Sequence, residues 1–216
     1  FDLFDNNLAV DIRLRQALEE NLLVPFHYYG ITDQTGVDLS DERLTPDQIA
    51  EKLNVTSRVD FIIERMNFYG HDGPKRKALG FCITKKHAEF MAAEFNKCGI
   101  PSTYLTGEDS EEERMRQIQL LESDTDKLNV IFTVDIFNEG VDIPEINQVV
   151  LLRPTQSPIV FVQQLGRGLR KSKDKEYVVI LDFIGNYKNN FMIPIALSGD
   201  RSYNKDNIRR YVLEGE

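Results

Sequence analysis

The chain has 216 residues, of which 41% are hydrophobic and 28% charged, so it is long enough to bury a full core. Its net charge of −9 argues against a protein that coats nucleic acid by bulk charge, although a groove lined by a few basic and hydroxyl side chains is compatible with it. No apolar run is long enough to span a bilayer, so we expect no membrane partner and a cytoplasmic location.

The termini and cysteines add three expectations. The first residue is Phe1 and no signal peptide is visible, so we expect a fragment of a longer protein. Cys82 lies in an apolar run and Cys98 near the end of a helical one, which predicts two buried thiols in a reducing compartment. The cysteines and the three histidines lack ligand spacing, so no metal site is expected in this chain.

Residues 1–76 have a mixed pattern and are predicted to be a partly helical connecting segment. Leu23–Ile31 has the composition of a strand. Thr45 followed by Pro46 favours a helix start, because threonine can cap the helix and proline tolerates its first position. A second helix is predicted from about Ser57 to Phe68.

From residue 78 onward, short strands rich in Val, Ile and Phe alternate with amphipathic helices. The predicted strands are Ala78–Thr84, Ser102–Leu105, Asn129–Thr133, Gln148–Leu152 and Tyr177–Phe183. The predicted helices are Lys85–Lys97, Ser110–Leu121 and Pro158–Lys171. This order predicts an α/β fold in which helices cover both faces of a parallel sheet. In such folds the functional loops follow the carboxyl ends of the strands.

The last predicted helix carries a pattern suited to binding phosphate. Gln163, Arg167 and Arg170 lie within about 60° of one another around the helix axis, and apolar side chains occupy roughly the opposite face. Two guanidinium groups on one face match phosphate oxygens in charge and geometry. A solvated basic face would have the same pattern.

A second pattern, Gly140-Val141-Asp142-Ile143-Pro144, follows the strand that ends at Thr133. A glycine there would let the backbone approach a ligand closely, with a carboxylate beside it. A strand-to-loop turn that ends at the proline would explain the same residues.

Together, the two patterns resemble motifs V and VI of superfamily 2 helicases. Gly80–Thr84 and the helix after it resemble motif IV, and Leu105-Thr106-Gly107 resembles the turn after the next strand. The resemblance covers about residues 79–183. Within it, the motif sequences are similar to those of bacterial helicases related to restriction-enzyme motor subunits. It implies a RecA-like fold.

The resemblance implies two sets of site residues. Arg167 and Arg170 would act as arginine fingers on the γ-phosphate of ATP, with Gln163 beside that phosphate or the attacking water, and Gly140 and Asp142 would line the sugar side of the nucleotide. Contacts to the nucleic-acid backbone would come from Thr84, Lys86, Thr106, Gly107 and Thr133. Each threonine could instead be a structural cap or turn residue.

The sequence contains neither a G-x-x-x-x-G-K-[ST] loop nor a DExH or DExD box. ATP and Mg²⁺ would therefore be held mainly by a first RecA-like domain upstream, and this chain alone is expected to be inactive. The expected divisions are a connecting segment at 1–76, the RecA-like domain at 77–190 and the start of another region at 191–216.

The function expected from the resemblance is the C-terminal motor domain of an ATP-dependent DNA helicase or translocase, with restriction or repair proteins as candidate partners. An RNA substrate is a weaker alternative, because the motif sequences resemble those of DNA enzymes more than those of DEAD-box proteins. The rival from another class is a catalytically silent interaction scaffold.

Overall fold

The computed structural model describes residues 23–31, 43–134, 143–153, 170–173 and 175–183. Within these ranges lie six strands and four helices. In chain order they are β1 Phe26–Gly30, α1 Pro46–Leu53, α2 Thr56–Tyr69, β2 Ala78–Phe81, α3 Lys85–Lys97, β3 Ser102–Leu105, α4 Glu111–Glu122, β4 Val130–Thr133, β5 Gln148–Leu151 and β6 Val178–Asp182.

The six strands form one sheet in the order β1-β6-β5-β2-β4-β3, and every neighbouring pair is parallel. The register places Phe81 of β2 opposite Thr133 of β4 and Leu151 of β5. This confirms the α/β fold with a parallel sheet that the alternating strands and helices predict.

The inner strands are buried on both faces, as their continuous apolar sequences require. Successive side chains alternate between two core clusters: Ile131, Val149 and Ile180 belong to one, and their chain neighbours Phe132, Val150 and Leu181 to the other. Helices α2 and α3 pack on the second cluster, and α4 packs on the first.

Part of the predicted connecting segment belongs to the same sheet. The strand-like pattern of Leu23–Ile31 is confirmed as β1, which pairs with β6 so that Tyr28 lies opposite Ile180. The capping box that Thr45 forms with Gln48 starts α1. The division of the chain into regions at residues 76 and 190 stays a prediction.

The prediction of two buried thiols is half correct. Cys82 is fully buried after β2, but Cys98 is exposed. Helix α3 ends at Lys97, and Gly99 with a φ of 77° turns the chain away, so Cys98 lies at an exposed helix end rather than on the packed face. The predicted helix Pro158–Lys171 lies almost wholly outside the described residues.

Candidate nucleic-acid interface

Three of the predicted site residues lie at one edge of the sheet. Strands β2, β4 and β3 are neighbours and run in parallel, so their carboxyl ends meet at a single edge. Thr84 follows β2, Thr133 ends β4 and Thr106 follows β3. The topology therefore brings together three threonines that are far apart in sequence.

The start of α3 lies at this edge and is free of acidic residues. Thr84 is the N-cap, and its hydroxyl accepts a hydrogen bond from His87 N–H at 3.2 Å. The N–H groups of Lys85 and Lys86 have no partner within the helix, and both side chains are exposed. Helix α4 starts at the same edge, but three glutamates fill its first turn. Of these two helix starts, α3 offers the better electrostatic environment for a phosphate.

The turn after β3 is closed by its own hydrogen bonds. The Asp109 carboxylate accepts from Thr106 N–H at 2.6 Å and from the Thr106 hydroxyl at 3.0 Å. Arg114 of α4 donates to the carbonyl oxygens of Thr106 and Gly107 at 3.4 and 3.0 Å. The Thr106 hydroxyl thus already donates within the protein, and the exposed Gly107 is the residue of this turn that is open to a ligand.

Sequence reasoning missed Asp109 and Arg114. The spacing Thr106-x-x-Asp109 is a pattern that could have predicted the closed turn, because a short acidic side chain commonly bonds nearby backbone N–H groups. No comparable local pattern points to Arg114, which lies a full helical turn into α4.

An ion pair connects the first residue of α3 to the loop that follows β3. The ammonium group of Lys85 contacts the carboxylate of Glu108, and this hydrogen bond raises the pKa of the lysine. Both side chains are exposed, at 48% and 76%. The neighbouring Lys86 makes no ion pair with any residue that the structure describes.

Thr133 differs from the other two threonines because it is fully buried. Its backbone carbonyl accepts from Cys82 N–H at 2.8 Å, which extends the pairing of β2 with β4. Its hydroxyl lies below the surface without a hydrogen-bond partner in the described part of the chain. The assignment of Thr133 to nucleic-acid contact stays a prediction.

The predicted nucleotide-facing residues are described only in part. Arg170 is exposed, and its carbonyl oxygen accepts from the Lys175 ammonium group at 3.0 Å. Lys175 also donates to the Pro144 carbonyl at 2.6 Å, so the Arg170 backbone lies near the loop before β5. Gln163, Arg167, Gly140 and Asp142 lie outside the described residues. Within the described ranges, no three acidic, His or Cys side chains cluster as a metal site would require.

The helicase conserved C-terminal domain is the family whose profile matches this chain, over residues 57–172. The match takes in β2 to β5 and the candidate interface, and it covers more than half of the 216 residues. The chain belongs to this family. The predicted membership of superfamily 2 is thereby confirmed.

Relatives of this helicase domain include candidate ATP-dependent helicases named IRC3. The protein of Saccharomyces cerevisiae is 29% identical over 76% of this chain and 24% of its own length, and that of Schizosaccharomyces pombe is 33% identical over 77% and 27%. An endonuclease subunit of the type I restriction enzyme EcoKI from Escherichia coli is 31% identical over 44% of this chain and 9% of its own. The chain thus spans about a quarter of the IRC3 proteins and less of the EcoKI subunit.

Solved structures confirm that the helicase domain is RecA-like. A fragment of a candidate HsdR subunit of a type I restriction enzyme from Vibrio vulnificus superposes with a TM-score of 0.68 at 22% identity, covering 88% of this chain and 38% of that one. The Type ISP restriction-modification enzyme LlaBIII gives 0.60 at 20% identity, covering 85% and 14%. At these identities the likeness concerns the fold.

Proposed function

We propose that this chain is the second RecA-like motor domain of an ATP-dependent DNA helicase or translocase. The carboxyl edge of the sheet would contact the nucleic-acid backbone. A first RecA-like domain of the same protein would hold ATP and Mg²⁺, and Gln163, Arg167 and Arg170 of this chain would contact the bound nucleotide.

The observation that carries the nucleic-acid part of the proposal is the start of α3. It lies at the edge where β2, β4 and β3 end, and it combines N–H groups that have no partner within the helix, two exposed lysines and a first turn without acidic residues. Backbone N–H groups and lysines bind phosphate without reading bases, so we expect broad sequence tolerance and strong salt dependence. Gly107 in the next loop adds an open backbone position on the same edge.

The ATP-dependent part rests on family membership and on the matching residues. Arg167 and Arg170 would contact the γ-phosphate from the partner domain's side, Gln163 would orient the attacking water, and Gly140 and Asp142 would line the sugar. Arginine side chains stabilise the charge that spreads over the transferring phosphoryl oxygens. Bound ATP and Mg²⁺ would supply the phosphoryl chemistry itself.

DNA is the substrate that we propose, because a subunit of the type I restriction enzyme EcoKI is 31% identical to this chain over the shared segment, and the restriction-modification enzyme LlaBIII, which has a similar fold, was solved bound to DNA. Other relatives carry the name ATP-dependent RNA helicase, for example DBP10 of Yarrowia lipolytica at 28% identity. DNA and RNA of the same sequence are therefore compared in the test. A silent scaffold is disfavoured, because it would need neither the arginines nor Gln163.

The test is nucleic-acid-stimulated ATP hydrolysis by the full-length protein. Arg167→Ala should lower kcat by about 10³- to 10⁵-fold, as loss of an arginine finger does. Lys86→Gln should leave kcat nearly unchanged and raise the DNA concentration that gives half-maximal stimulation. It should also lower the slope of log affinity against log salt by about 0.7 to 0.9, the value for one lost phosphate contact.

Two cap variants separate binding from stability. Thr84→Ala and Ser110→Ala each remove an N-cap at this edge and should each cost about 1 kcal/mol of folding stability. Only Thr84→Ala should weaken DNA binding, because acidic residues occupy the turn that Ser110 caps.

Absence of stimulation by either DNA or RNA in the wild type would refute the motor function. Preferential stimulation by RNA would refute the choice of DNA.

A further inference from the structure

The two lysines at the start of α3 differ in one respect that the proposed function does not use. Lys85 is held by Glu108 of the neighbouring loop, whereas Lys86 has no ionic partner among the described residues. Glu108 follows directly on Gly107, and the turn that carries it is fixed by Asp109 and by Arg114. The carboxylate therefore lies on a rigid turn within the candidate interface.

We infer that Glu108 is an intramolecular competitor for nucleic-acid phosphate, which it resembles in charge, and that Lys85 exchanges this carboxylate for a phosphate when the edge binds nucleic acid. This inference rests on the proposed function and adds to it a residue, Glu108, that lowers the affinity of the interface for nucleic acid. No covalent step is involved, only a change of ionic partner.

The exposure of the pair makes the exchange feasible. An ion pair between exposed side chains adds little stability, because water screens it and both side chains lose freedom. Its loss is therefore a small cost that a phosphate oxygen can offset. Asp109 and Arg114 keep Glu108 near Lys85, so the competitor remains close when phosphate leaves. A motor that steps along a strand must release each contact, and a resident competitor shortens the life of this one.

The chain offers a matched control for the charge of Glu108. Glu112 lies four residues further on, is exposed at the start of α4 and makes no ion pair within the described residues. Glu108→Gln and Glu112→Gln change the net charge equally within one acidic segment. Only the first removes the partner of Lys85.

The experiment is a titration of fluorescently labelled single-stranded DNA with the full-length protein and its variants at fixed salt. Glu108→Gln should bind about two- to fivefold more tightly than the wild type, the range expected from removing an exposed ion pair. Glu112→Gln should stay close to the wild type. Glu108→Gln made in a Lys85→Gln background should bind no more tightly than Lys85→Gln alone, because the competitor then has nothing to mask.

Three outcomes would overturn the inference. These are equal affinities of Glu108→Gln and Glu112→Gln, a gain that persists without Lys85, and failure of the wild type to bind DNA at all. The first two leave the proposed function intact if DNA still stimulates ATP hydrolysis. The third removes the proposed function as well. Thermal unfolding of each variant serves as the folding control.

Discussion

At the scale of single residues, His87 is a strongly perturbed titratable group beneath the candidate interface. Its side chain is fully buried, and its Nδ1 accepts from the Ile83 N–H at 3.4 Å, which requires an uncharged ring. Burial, followed by the nearby positive charge of Arg58, lowers the pKa of His87 from 6.5 to about 3. The folded protein therefore keeps this histidine neutral, while the unfolded chain protonates it in mild acid.

The consequence is an acid-sensitive contribution to folding. Because the folded pKa of His87 is lower than the unfolded one, the unfolded state binds more protons between about pH 6.5 and 3. The contribution is complete above pH 6.5 and is lost as the pH falls, by at most about 1.4 kcal/mol per pH unit. His87→Leu should lack this loss. The check is the free energy of unfolding in urea from pH 7 to 4.5, where parallel curves for wild type and variant would contradict the prediction.

At the scale of secondary-structure elements, the contact between β2 and β4 depends on a glycine. Gly80 lies opposite Phe132 in the register, and a Cβ at position 80 would come within 2.5 Å of the Phe132 ring. That ring is fully buried and packs edge-on against Phe95 of α3 at 4.9 Å between centroids. The side chain that would be displaced is therefore held on several sides.

Gly80→Ala should destabilise the domain by about 1 to 3 kcal/mol, the usual cost of overpacking a core. Gly107→Ala is the matched control, since nothing lies within 4 Å of the Cβ it would add, and it should have little effect on stability. Adding Phe132→Leu to Gly80→Ala should recover part of the loss by removing the ring. Chemical denaturation measures all three. Equal stability of the Gly80 and Gly107 variants would contradict the close contact.

The elements that local patterns could predict are those whose signals lie within a few residues. Helices α2, α3 and α4 follow apolar periodicity, and the caps at Thr45 and Thr84 use residues adjacent to the helix starts. The parallel arrangement also follows from the alternation, so the threonines of the interface could be placed at strand ends in advance.

Contacts between distant parts of the chain could not be predicted in this way. Gln148 at the start of β5 donates to the carbonyl oxygens of Met66 and Gly70 at the end of α2, about 80 residues earlier. Glu108 acquires its role only when the start of α3 and the loop after β3 are brought together. The burial of Thr133 likewise depends on neighbours from other strands, which sequence spacing does not reveal.

At the scale of the whole molecule, two strands of the sheet lie outside the family match at 57–172. One is β6, which pairs with β5 and β1 and is buried along its entire length. The other is β1, which comes from the N-terminal part of the chain and is joined to β6 by its backbone and by the Tyr28 hydroxyl, which donates to Asp182 at 2.6 Å. The matched segment is therefore smaller than the sheet that supports the interface.

A fragment of residues 57–172 should consequently fail to unfold cooperatively, whereas a fragment of residues 23–183 should do so. The shorter fragment leaves the β5 edge unpaired and uncovers apolar side chains on both faces, which favours aggregation over folding. The longer one restores β6 and the edge strand β1. Size-exclusion chromatography and thermal unfolding followed by circular dichroism distinguish the two. A monomeric 57–172 fragment that melts at the temperature of 23–183 would mean that β1 and β6 add nothing to the stability of the sheet.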